Sequence, residues 1–374
     1  MIYLDNSATT FPKPECVYQA MDYANRNLAF NAGRGSYGKA IEAADVILEA
    51  RRNIADFAKC TSDEVVFTSS ATESLNLIIN GLPLKDGDNV YISPFEHNAI
   101  VRPLYNLKKQ INFNIFVLPF DKETWEIDEE KMTNMFAINS PAAVLISHVS
   151  NVTGFELPYQ KIFEHSKMYY SINVLDSAQC FGISNPCMKN IDFCVFAGHK
   201  SLYATFGIAG FINHTNLILK VIKSGGNGAD SLNHEMPKDG YAHYESGSPN
   251  VVACYGLIKS CQWLRTQNIL ENEKKLTFYL INKMSALKSV KMYLPKNKQV
   301  LGIVSLNVAE YTPLDVGNIL FEDFGICVRT GYHCSPFVHD FLGTKEIGGT
   351  VRISLGAFNT KEDIDNLYIA LESF

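Results

Sequence analysis

Residues Ser171–Lys200 read SINVLDSAQCFGISNPCMKNIDFCVFAGHK. Two apolar runs in it, Ile172–Asp176 and Phe193–Phe196, have the length of buried strands rather than helices. Each is followed at once by residues able to do chemistry: Asp176 leads into Ser-Ala-Gln, and Gly-His-Lys ends at Lys200. The same rhythm continues outward, with further strands predicted at Val65–Thr68, Val90–Ser93, Ile115–Pro119, Ala143–Val149 and Ile208–Asn213. Helical patterns near Glu42–Ala58, Thr72–Asn80, Asn98–Gln110 and Asp128–Phe136 lie between them. Short apolar strands alternating with helices indicate an α/β fold: a large domain with a mostly parallel seven-stranded sheet flanked by helices. Such sheets carry their sites at the carboxyl ends of the strands.

Residues Ser224–Asn250 break the rhythm with a Gly-, Asn-, Ser- and Pro-rich run that reads as a long loop, and long loops in compact domains serve sites or interfaces. Beyond it come helical patterns at Val251–Thr266 and Leu270–Leu287. Strands near Gly302–Val308, Cys327–Arg329 and Val351–Ser354 then alternate with helices near Leu314–Phe321 and Lys361–Glu372. This is a smaller α+β domain. The expected division gives 15–258 to the large domain, and 1–14 with 259–374 to the small one.

The chain of 374 residues suits two such domains. A net charge of −6 argues against nucleic-acid or anionic-membrane partners, which favour basic surfaces. No secretory pattern opens the chain, and no run of about 18 apolar residues marks a membrane span. Nine scattered cysteines point to reduced thiols and hence to the cytoplasm.

Alone, Asp176 reads more readily as a helix cap and Lys200 as a solvated amine. Together at neighbouring strand ends they match what pyridoxal phosphate requires: an amine to hold it covalently and an acid to keep its pyridine nitrogen protonated. Thr68–Glu73 joins a strand to a helix through small hydroxyl residues, and a helix N-terminus binds phosphate. His97 follows another strand and could stack on a ring. Cys334 lies in VRTGYHCSPF, with Arg329, Tyr332 and His333 near it in sequence; adjacent positive charge favours a thiolate. Arg352 could pair bidentately with a carboxylate. Cys180, Cys187 and Cys194, and His333-Cys334 with His339, lack zinc-type spacing, so no metal is expected.

With these residues in place, the chain resembles the cysteine desulfurases of the class V aminotransferase family, in the fold-type I group of pyridoxal-phosphate enzymes. The resemblance rests on YLDNSATT at Tyr3–Thr10, SATESLN at Ser70–Asn76, EHNA at Glu96–Ala99 and SHVSNVTG at Ser147–Gly154. It continues through LDSAQ at Leu175–Gln179, GHK at Gly198–Lys200, YESGSPN at Tyr244–Asn250 and RTGYHC at Arg329–Cys334. It implies that Lys200 carries the cofactor, Asp176 meets the pyridine nitrogen, Gln179 meets the phenolic oxygen and His97 stacks on the ring. Ala71, Thr72 and His199 hold the phosphate, and Ser248 reaches the phosphate of the neighbouring subunit in a homodimer with shared sites. Asn151, Arg329 and Arg352 bind the substrate. Lys200, His97 and Cys334 are the catalytic groups.

The activity so implied converts L-cysteine to L-alanine, with a persulfide on Cys334 handed to an acceptor protein, as in sulfur mobilisation for iron–sulfur cluster assembly. The RTGxHC form resembles the second of the two desulfurase groups. Selenocysteine lysis and transamination are alternatives on the same scaffold, and a non-catalytic sulfur carrier is a remoter one. Three departures stand out: Ala197 where many relatives carry a hydroxyl, Ser248 where Thr is frequent, and Ser335 where Ala is common. The first removes a phosphate donor, a loss of about 0.5–1.5 kcal/mol for an ordinary hydrogen bond.

Overall fold

The computed structural model describes residues 1–374 apart from 33, 34, 36, 229–231 and 298; part of the expected 224–250 loop thus lies outside the described residues. The chain opens with β1 (Ile2–Tyr3), α1 (Glu15–Asn27) and α2 (Gly38–Ala58). It alternates through β2 (Val65–Thr68), α3 (Ala71–Gly81), β3 (Asn89–Ile92), α4 (Asn98–Leu107), β4 (Asn114–Val117), α5 (Glu129–Ile138), β5 (Pro141–Ser147) and α6 (Tyr159–Lys167). Strands β6 (Ile172–Asp176), β7 (Phe193–Ala197) and β8 (Ala209–Asn213) complete the large sheet.

Among the described residues this sheet has seven strands in the order β2-β8-β7-β6-β5-β3-β4, and β8 alone runs antiparallel to its neighbours. The pleat sorts consecutive residues to opposite faces. Val144, Ile146, Leu175, Cys194 and Phe196 join the core on one side, while Ala143, Leu145, Val174, Phe193 and Val195 join the core on the other. Both faces are covered, which is why these strands read as unbroken apolar runs.

The rest comprises α7 (Val251–Leu264), α8 (Ile269–Met284), β9 (Val290–Tyr293), β10 (Ile303–Val308), α9 (Pro313–Glu322), β11 (Ile326–Cys327), β12 (Arg329–Gly331), α10 (Pro336–Leu342), β13 (Thr350–Ser354) and α11 (Lys361–Glu372). A second, antiparallel sheet runs β12-β13-β10-β9, and its apolar face packs with α8, α9 and α11 in a separate core. Strand β1 pairs in parallel with β11, so the amino end belongs spatially with the small unit.

Residue 258 falls inside α7, whose buried apolar side chains from Val251 to Leu264 join the large unit's core. We therefore propose the division at the turn between α7 and α8 rather than at 258. Among the described residues no helix is long and apolar enough to cross a membrane, and no group of His, Cys, Asp or Glu is placed to hold a metal ion.

Candidate active site

The carboxyl ends of β2, β3, β5, β6 and β7 surround one cavity. Asp176 and Gln179 face it from the end of β6, and His199 and Lys200 from the end of β7. Ala71 and Thr72 line it from the start of α3, His97 from the start of α4, and Asn151 from the turn after β5. Seven of the eight residues assigned to the cofactor thus converge on it, drawn from segments more than a hundred residues apart.

Asp176 is buried, and burial raises its carboxyl above the ordinary aspartate value. Its Oδ1 accepts the Ala178 N–H at 3.0 Å, which turns the chain after β6 and aims the carboxylate. Burial lowers the Lys200 amine from 10.5 to about 8; Arg352 and Arg329 add to the fall, while Asp176 opposes it. Such an amine is partly neutral near pH 8, as a nucleophile or proton acceptor must be.

His97 caps α4: its Nδ1 accepts the Ala99 N–H at 3.0 Å. That bond leaves the ring proton on Nε2. Burial, followed by the Lys200 and Arg329 charges, lowers its pKa to about 3, so the ring is neutral. Burial likewise lowers His199 to about 4, and its Nδ1 is a buried polar atom with no partner. Helix α3 begins beside it, capped by the Ser70 hydroxyl, which accepts the Glu73 N–H. The Ala71 and Thr72 N–H groups have no carbonyl four residues back and remain at the positive end of the helix. This donor set suits an anionic ligand that carries an aldehyde: open N–H groups of α3 and the unpartnered His199 Nδ1 for the anion, and the Lys200 amine for the aldehyde.

The amino-terminal segment supplies residues to which the sequence reading assigned no role. Ser7 Oγ donates to Gln179 Oε1 at 3.1 Å and the Ser7 carbonyl accepts from Gln179 Nε2 at 3.2 Å, fixing that amide. Thr10 N–H donates to the His199 carbonyl at 3.1 Å, and Lys13 Nζ reaches the same carbonyl at 2.7 Å. Asp5 Oδ1 accepts from Arg352 Nη2 at 2.6 Å. The turn YLDNSATT carried the signal, an acid and three Ser or Thr hydroxyls in eight residues, but nothing local says which strand ends it will meet.

Arg352 is 1 % exposed, so it is not part of a surface ion pair. Its Nη1 donates to the Asn151 carbonyl at 3.0 Å, and its Nε has no partner.

Cys334 arrives from the small unit. It is exposed, and both it and His333 hold left-handed backbone, with φ of 58° and 48°. The Arg329 guanidinium lies 3.9 Å from its sulfur. The other two neighbours expected to act on the thiol turn elsewhere. His333 is buried with Nε2 on Thr350, and burial holds it well below the usual histidine range, so it carries no charge. Tyr332 donates its hydroxyl to the Lys345 carbonyl.

Ser248 does not reach the Lys200 cavity. It is exposed and lines a separate, larger recess with Lys223, Tyr241 and Glu245. A half-buried pair, buried Arg51 with partly exposed Glu245, ties this loop to α2, and Glu245 Oε1 also accepts the Phe67 N–H at 2.6 Å from β2.

The sequence matches the family model Aminotransferase class-V over residues 2–367. A protein of Methanothermobacter thermautotrophicus described as a probable cysteine desulfurase is 30% identical over 99% of this chain and 94% of its own length. The cysteine desulfurase of Wigglesworthia glossinidia brevipalpis is also 30% identical, over 99% of this chain and 92% of its own. Among solved structures, the apo cysteine desulfurase of Thermococcus onnurineus NA1 superposes with a TM-score of 0.92 at 29% identity, covering 100% of this chain and 94% of that one. Likeness of this extent, over both sheets and every segment that meets at the cavity, makes the chain a member of the class-V aminotransferase family.

Proposed function

We propose that the chain is a pyridoxal-phosphate-dependent cysteine desulfurase that converts L-cysteine to L-alanine and retains the sulfur as a persulfide on Cys334. One observation carries the reading: the Cys334 carbonyl is bonded to the first residue of α4, next to His97, which lines the cavity that Lys200 and Asp176 share, so the thiol-bearing residue is tied beside that cavity. A transaminase has no use for a thiol there.

Pyridoxal phosphate, when bound, supplies an electron sink that lets an amino acid release its α-proton. Lys200 Nζ would hold the cofactor covalently and, as a free amine, would move the substrate's α-proton as general base. The Asp176 carboxylate keeps a proton on the ring nitrogen. His199 Nδ1 and the first N–H groups of α3 hold the phosphate, and Gln179, aligned by Ser7, donates to the phenolic oxygen. His97, neutral and protonated at Nε2, lines the cavity where it would face the ring. Asn151, Arg329 and Arg352 orient the substrate carboxylate.

Cys334 then attacks the substrate sulfur. An S–S bond forms, the substrate C–S bond breaks, and its electron pair stays with carbon, which takes up a proton to give alanine. The sulfur leaves with an acceptor protein. Ser248, outside its own cavity, serves the neighbouring subunit's phosphate in a homodimer. Nine free thiols support a cytoplasmic setting.

Mass spectrometry after incubation with L-cysteine tests the reading: 32 Da multiples on the Cys334 peptide and free alanine are expected, about one sulfur mass each. Cys334→Ser must abolish both while keeping the yellow cofactor absorbance. Full alanine formation by that variant overturns the persulfide role of Cys334 and favours a thiol-independent lyase of the selenocysteine-lyase kind, whereas loss of the substrate amino group with no alanine and no sulfur on Cys334 favours transamination.

A further inference from the structure

Serine at the N-cap of a helix normally turns its hydroxyl to the helix's own N–H groups. Ser335 is the N-cap of α10, fully buried, and makes no such bond. Its Oγ donates instead to Asn151 Oδ1 at 2.7 Å. The other end of the same amide, Nδ2, donates to the His333 carbonyl at 2.8 Å. Asn151 therefore grips the chain on both sides of Cys334. The residue is held in place because its own backbone carbonyl accepts from Arg352 Nη1 at 3.0 Å.

We propose that Ser335 is a positioning residue: its hydroxyl fixes the Asn151 amide and latches the Cys334 loop over the cavity. The inference rests on the desulfurase reading for its consequence, but the latch itself does not. Two successive residues in left-handed backbone need surrounding contacts to keep them there. Asn151 supplies such contacts only while Oδ1 faces Ser335 and Nδ2 faces His333. Without the hydroxyl, a buried acceptor loses its donor and the amide has no reason to prefer that orientation. With it, one Nδ2 proton stays free to meet a substrate carboxylate from a fixed direction. Ser335 thus acts through Asn151 and the loop, touching neither substrate nor cofactor.

The test compares native holoenzyme with Ser335→Ala, Asn151→Ala and the double variant, using two readouts. The first is the rate at which iodoacetamide alkylates Cys334, followed by mass spectrometry. The second is single-turnover persulfide formation from L-cysteine. Ser335→Ala is expected to raise alkylation and lower persulfide formation by about 3- to 10-fold each, the span of one ordinary hydrogen bond. The double variant is expected to match Asn151→Ala, since both changes break one latch. Alkylation by Ser335→Ala within twofold of native overturns the proposal, as do effects that multiply in the double variant. Should Ser335→Ala fail to fold, Asn151→Ala decides: no rise in its alkylation overturns the latch. Faster alkylation in a protein whose native form makes no persulfide upholds the latch and removes the desulfurase reading.

Discussion

The backbone N–H of Asn98 donates to the carbonyl of Cys334 at 2.7 Å, fastening the thiol-bearing residue of the small unit to the first residue of a helix in the large one. Asn98 is the first residue of α4, where an N–H has no partner within its own helix. Proline is well tolerated there and lacks only that donor. His97 before it has φ −74° and ψ 153°, the backbone that a following proline demands. Asn98→Pro should therefore remove one tie and little else. Persulfide formation is expected to fall by about 3- to 10-fold, with the cofactor spectrum and thermal midpoint nearly unchanged. An undiminished rate shows that this docking contact is dispensable.

The Lys200 amine, lowered from 10.5 to about 8, sets a pH dependence. Only the neutral amine can attack an aldehyde. Uptake of pyridoxal phosphate by cofactor-stripped protein should quicken about tenfold per pH unit below the pKa and level off above it. A rate still climbing toward pH 10 means an ordinary lysine. The same shift has a stability consequence. Between about 8 and 10.5 the unfolded chain binds the proton that the native amine has released, so this group makes the native state gain stability as pH rises through that window.

Ala197 lines the cavity beside His199 and is 1 % exposed. A hydroxyl at that position restores a donor near the phosphate end. Position 198 is no substitute, because a Cβ there lies 2.5 Å from the Ile208 carbonyl. Ala197→Ser should tighten pyridoxal phosphate binding to the stripped protein by about 2- to 10-fold, measured by absorbance titration. Weaker binding tells against this placement of the phosphate.

Glu245 pairs with Arg51, whose side chain is 3 % exposed, and Arg51 also lies 3.8 Å from the Tyr241 ring centre. Removing the acid leaves a cation stranded away from water. Glu245→Ala should cost about 3–5 kcal/mol of stability in denaturant unfolding. It should also loosen the loop that carries Ser248. A change below 1 kcal/mol, roughly the level of an exposed pair, contradicts the buried character of the contact.

Much of the large sheet was legible because period and composition act locally. Strands predicted at Val65–Thr68 and Ile172–Asp176 occur at those limits, and the others shift by one or two residues at their ends. Helices α1, α6 and α10 were passed over. Helix α1 begins after Pro14 without a side-chain cap and α6 after Pro158 likewise, so neither shows the usual Ser, Thr, Asp or Asn start. Helix α10 is seven residues long, too short for its period to stand out. The site was legible where each residue sits just past a strand, as Asp176, Lys200 and His97 do. The roles of Ser7, Asn98 and Ser335 depend on contacts between segments far apart in the chain, which no local pattern encodes. His333 misled for the opposite reason: it adjoins Cys334 in sequence, yet burial turns it to Thr350.

Residues 2–10 touch, in order, the small unit at β11, the guanidinium of Arg352, the amide of Gln179 and the carbonyl of His199. A leading segment that many proteins could lose without harm is here a seam stitched through both halves of the catalytic centre. Proteolytic trimming of those few residues would cut the ties to Arg352, Gln179 and His199 and pull Leu4 out of the small unit's core in one stroke, while the cores on the two faces of the large sheet kept their members.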